Sequence, residues 1–97
     1  MLEFSAKAAH VSPAWPAGYW PASPEPPDSH AWDKSVAAFE ADLKAMRELV
    51  AGEASDLFTP FPWGDGQTLL REALQVADHN AYHLGEQVLL RRLLGAW

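Results

Sequence analysis

The sequence contains no cysteine. That excludes disulfides, thiolate zinc sites and thiol nucleophiles, so any metal site must be built from His, Asp or Glu. Positive charge is also sparse. Seven Lys and Arg stand against thirteen Asp and Glu, for a formal net charge of -6. A duplex-binding footprint needs clustered positive charge, so no nucleic-acid partner is expected. No apolar run approaches the ~20 residues that span a bilayer, and residues 1–11 hold no signal-peptide core. The expectation is therefore no membrane association and a cytoplasmic location. Period-two alternation and internal repeats are missing as well, which argues against β structure.

What is present is ordinary globular material: 97 residues, 48% hydrophobic and 21% charged. This length supports one domain over 1–97, which would bury roughly 65% of its unfolded surface if compact. Residues 1–11 (MLEFSAKAAHV) read as the tail of a helix. Residues 12–27 carry six of the eight prolines together with Trp15, Tyr19 and Trp20. Proline excludes helix interior and central strand, so this segment is expected to be an extended arm whose rings pack onto a helical body.

Two long helices are expected. From Asp28 to about Ala51, the residues Trp32, Val36, Phe39, Leu43, Met46 and Val50 recur at spacings of 4, 3, 4, 3 and 4. That places them on one stripe, with Asp28 or Ser29 as the cap and Gly52 as the stop. Residues 52–66 form a Pro- and Gly-rich connection whose Leu57, Phe58, Phe61 and Trp63 are expected to lie over the core edge. The second helix runs from Gln67 to about Leu94, with Asp65 as the first candidate cap and Thr68 as the second. Gly85 in its interior costs about 1 kcal/mol against Ala, which suggests a close approach there. Gly95 ends it. Two such helices leave apolar stripes open, so the chain is expected to form a homodimer or other homo-oligomer.

His79 and His83 are four apart on the second helix, which stacks them on one face. Neutral imidazoles at this spacing can hold one divalent ion. Glu86 lies three residues beyond His83, and Glu72 one heptad before His79. Asn80 follows His79 directly, so the zinc-protease HExxH pattern is not met. His10 and His30 sit in a Pro-rich and a helix-start segment and read as solvated or capping groups. The pair is expected to face a space between helices or subunits. Two imidazoles supply only part of a coordination shell; the rest must come from Glu86, a symmetry partner or solvent. A two-fold dimer with antiparallel last helices would bring His79 and His83 opposite their copies.

The stretch DGQTLLREALQVADHNAYHLGEQVLLRRLLGAW resembles the last helix of the DinB-like (DinB/YfiT) family, whose pattern is H-x-x-x-H-x-G-Q. Here it stands as His79-Asn80-Ala81-Tyr82-His83-Leu84-Gly85-Glu86. The helix over 28–51 and the loop that follows resemble that family's third helix and connection, so the likeness spans about residues 2–97. It implies an up-down four-helix bundle with a divalent metal (Zn, Ni, Mn or Fe) held by three histidines. Two of these match His79 and His83. The third belongs to the family's second helix, of which MLEFSAKAAHV resembles the last turns. The resemblance thus implies a domain shortened at its N-terminus, and the third role does not pass to His10. Glu86 replaces the family's Gln; as a carboxylate it accepts only, and it suits a ligand, an outer-shell partner or neither. Some family members transfer thiol cofactors such as mycothiol or bacillithiol. The expected function is therefore metal-dependent hydrolysis or thiol transfer on a small-molecule substrate. The competing expectation is a non-catalytic helical self-association module lacking the third ligand.

Overall fold

Backbone hydrogen bonding resolves into three helices and no strand: α1 (Leu2–Ala6), α2 (Ala31–Ala51) and α3 (Leu69–Leu93). The structure is a computed structural model that describes residues 1–97. It is all-α, with one isolated antiparallel bridge between Pro60 and Thr68. No helix is long and apolar enough to cross a membrane. The chain divides into two compact units, Leu2–Ser55 and Asp56–Trp97 with Met1.

In the first unit α1 packs against α2. α2 begins later than expected, and neither Asp28 nor Ser29 caps it. The Asp28 carboxylate accepts from the His30 N–H at 2.8 Å and from Lys34 Nζ at 2.9 Å. It is therefore engaged in the turn that leads into the helix. His30 takes the N-cap position without a side-chain hydrogen bond. The Lys34 ammonium, with the His30 amide, holds the Asp28 carboxyl below its ordinary value. Along the apolar stripe only Met46 is buried; Leu43 and Val50 are half-buried, and Trp32, Val36 and Phe39 are exposed.

The Pro-rich segment is not the extended, docked arm that its composition predicts. The Gly18 N–H donates to the Ala14 carbonyl at 2.7 Å, and the Tyr19 and Trp20 amides donate to the Pro16 carbonyl at 3.0 and 3.2 Å. Proline's fixed φ also suits the corner of a turn, and here that preference wins over extension. Trp15 and Tyr19 come together with ring centroids 5.7 Å apart. Both rings, and that of Trp20, remain exposed.

The second unit is built on α3. Asp56 accepts from the Phe58 and Thr59 amides, each at 2.9 Å, which starts the loop. Hydrogen bonds from Thr59 and Phe58 keep its carboxyl below the ordinary value. The Leu70 N–H donates to the Leu57 carbonyl at 3.0 Å, and the Phe61 N–H to the Gln67 carbonyl at 2.8 Å. These bonds fasten the loop to the first turn of α3. Phe61 and Trp63 stack at 5.1 Å, while Phe58 is exposed. The cap is Thr68, whose hydroxyl accepts from the Arg71 N–H at 3.2 Å. Asp65, the first candidate, lies on the far side of Gly66, whose φ of +95° redirects the chain before the helix begins. At the other end Gly95, at φ +63°, donates to the Arg92 carbonyl at 3.2 Å and Ala96 to the Arg91 carbonyl at 2.9 Å. This is the Schellman pattern of a helix stop. Gly85 meets no close approach: a Cβ there would have nothing within 4 Å.

Few apolar side chains are covered: Met46 and Leu69 are the buried ones, at 4% and 3% exposure.

Two substitutions test the account of α3. Thr68→Ala removes the cap and should destabilise the chain by about 1 kcal/mol. Gly85→Ala adds a methyl in open space within a helix and should stabilise it by about 1 kcal/mol. Urea unfolding in the presence of a chelator reads both. Destabilisation by Gly85→Ala would show a close neighbour at that position.

Candidate metal centre

α3 is long because its interior is free of proline and its two ends are capped. Four residues along a helix return a side chain to almost the same face. On α3 this brings the His79 and His83 rings to 4.4 Å between centroids, edge to face at 85°. Their Nε2 atoms are 3.1 Å apart. His83 Nδ1 is 2.7 Å from Glu86 Oε2, one turn further on. Tyr82 adds an edge contact to His83 at 5.4 Å, and its hydroxyl hydrogen-bonds to Glu86.

These contacts fix the tautomer of His83. An ionised Glu86 only accepts, so the proton lies on His83 Nδ1. A neutral His83 therefore presents the lone pair of Nε2, and His79 closes the contact by donating from its own Nε2. The hydrogen bond from His83, then that from Tyr82, holds the Glu86 carboxyl below its ordinary value of 4.5. The same bond to Glu86 raises the Tyr82 phenol above 10.0.

The donor set fits half of a metal shell. With Zn–N distances of ~2.0–2.1 Å, two nitrogens on a tetrahedral ion stand about 3.3 Å apart. The Nε2 atoms are already at 3.1 Å, so replacing the shared proton by an ion requires only a small opening. Carboxylate on the far nitrogen is the usual support of a metal-binding imidazole. Glu86, which the sequence leaves open between ligand and outer-shell partner, makes this supporting contact in the structure. Tyr82 was not singled out from sequence; its i, i+4 spacing to Glu86 is the signal that reveals it.

No group of three or more His, Asp or Glu side chains is placed to hold an ion. Glu72, which shares the stripe, is buried at 5% exposure two turns before His79. His10 lies 3.4 Å from Glu3 Oε2 and 3.4 Å from Ser12 Oγ. His30 stands at the start of α2. The pair itself is open rather than enclosed within the chain: the His83 and Glu86 side chains are 50% and 48% exposed. No protein-family model, curated protein or solved structure matches the chain.

A carboxyl titration by NMR tests the local geometry. In metal-free protein Glu86 should ionise below 4.5, and His83→Ala should return it toward that value by more than Tyr82→Phe does. The sign follows from linkage. A depressed carboxylate contributes stability that is present above its unfolded pKa and is lost as pH falls through the lowered one. An unchanged midpoint in His83→Ala would show that the contact does not persist.

Proposed function

We propose that this chain binds a divalent metal ion through His79 and His83, with Glu86 orienting His83. The observation that carries this reading is the convergence of two Nε2 atoms to 3.1 Å while a carboxylate holds the remaining nitrogen of one ring. The resemblance of the HNAYHLGE stretch to the DinB-like family supports the same reading and adds its context, a four-helix-bundle architecture. On this proposal His79 and His83 bind the ion, Glu86 keeps the proton of His83 on Nδ1, and Tyr82 keeps Glu86 in place. A bound Zn, Ni, Mn or Fe ion would supply Lewis acidity that lowers the pKa of a coordinated thiol or water. That chemistry would serve a cytoplasmic hydrolase or thiol transferase acting on a small molecule.

A second reading, a helical self-association module without catalysis, is favoured by a different observation. Leu84, Leu89, Leu90 and Leu93 are all exposed on α3, as is Leu94 at its C-cap.

Titration of the tag-free protein with Co²⁺ tests the first reading. Saturable visible absorption is expected, lost in His79→Ala and in His83→Ala. Glu86→Ala should weaken affinity by about 10–100-fold, as for other supporting contacts to a ligand imidazole. Affinity that is unchanged in His79→Ala would remove the proposal and leave the self-association module.

A further inference from the structure

The imidazole pair continues into a seam along α3. Val76, His79, His83, Glu86, Leu90 and Leu93 are spaced 3, 4, 3, 4 and 3. This alternation averages 3.5 residues, the repeat that keeps one line of a helix facing a second helix along its length. The same spacing extends backwards to Glu72 and Leu69, but those two are already buried, at 5% and 3% exposure. From His79 onward the seam is open. Leu90 and Leu93 are 57% and 74% exposed. The residues flanking it, Asn80, Tyr82, Gln87, Leu89 and Leu94, carry no charge.

Resting on the metal-binding reading above, and taking the ion as structural because a closed shell leaves no position for a thiol or water, we propose that a second copy of this chain completes the site. Two α3 helices would pair in parallel along this seam and hold one divalent ion between four imidazoles, His79 and His83 of each copy.

Three observations select this occupant. The first is the ligand count. The chain provides two converging nitrogens and no third ligand, and a two-fold axis turns two into the four of a closed tetrahedral shell. The second is surface. From His79 onward the side chains of the seam are exposed, Leu90 and Leu93 at 57% and 74%, and a standard interface needs about 800 Å² from each partner. The third is direction. An antiparallel pair centred on the histidines, the arrangement expected from sequence, would set Leu90 and Leu93 opposite Glu72 and Leu69, which are already covered. A parallel pair sets Leu90 and Leu93 against their own copies, exposed surface on exposed surface. The two Glu86 carboxylates then fall in the layer next to the histidines, where the charge of the divalent ion offsets their repulsion. Each is also turned onto its own His83.

Sedimentation velocity of the full-length, tag-free chain with and without Zn²⁺ tests this, with the stoichiometry read by Co²⁺ titration. The expected result is one ion per two chains and a metal-induced dimer that a chelator dissolves. Free metal at ~100 times its dissociation constant should tighten dimerisation about 100-fold. Leu90→Glu keeps both ligands and Glu86 but should weaken dimer and metal binding together. Because the chain has no cysteine, Leu93→Cys gives a clean test of direction. With oxidised glutathione added as the oxidant, it should form an interchain disulfide in the metal-loaded dimer, whereas antiparallel helices would hold the two positions about 36 Å apart. One ion per monomer with no assembly, a dimer indifferent to chelator, or no disulfide in Leu93→Cys would each overturn this inference while leaving metal binding by the pair intact. Absence of any metal binding would overturn both.

Discussion

An α-helix returns a side chain to the same face after four residues, and on α3 that repeat forces two imidazoles into contact. Nothing larger holds them there. The contact needs an uninterrupted helix, which Thr68 starts with its hydroxyl and Gly95 stops with its positive φ. It also needs one ring to show a lone pair where the other shows a proton, and Glu86 imposes that choice from 2.7 Å. Local spacing, one carboxylate and two caps therefore suffice to hold two imidazoles together on an exposed helix face.

The same economy leaves the chain short of a core. Met46 and Leu69 are its buried apolar side chains, while Trp32, Phe39, Leu90, Leu93 and Leu94 face outward. Apolar burial contributes roughly 25 cal/mol per Å². Exposed apolar side chains are therefore a source of association energy, and the imidazole pair lies among them. On the proposal made above, the α3 helix of a second copy would supply further ligands and cover these side chains together.

Much of this was legible in the sequence, for physical reasons that differ by element. Period 3.6 in the apolar residues located both long helices, and the i, i+4 spacing alone placed His79 beside His83. Cap identity was harder. Asp28 and Asp65 are good capping residues by type, yet Asp28 is committed to the His30 amide and Lys34, and Gly66 separates Asp65 from its helix. Such competition depends on the turn geometry of neighbouring residues, which residue type does not encode. The Pro-rich segment failed similarly: proline permits extension and turn alike, and the carbonyls of Ala14 and Pro16 decided for turns. Gly85 carried a false signal of close packing, since helix propensity reports a cost without saying what, if anything, offsets it. Spacing put the Glu86 carboxylate near the pair, and only side-chain geometry showed that it meets His83 through Nδ1.

X-ray absorption at the metal edge of the zinc-loaded protein addresses the central claim most directly, because it counts the imidazoles around the ion. The account predicts a first shell of four nitrogens at about 2.0 Å with the outer-shell scattering of four imidazole rings. A shell dominated by carboxylate or water oxygens, without imidazole scattering, would contradict it.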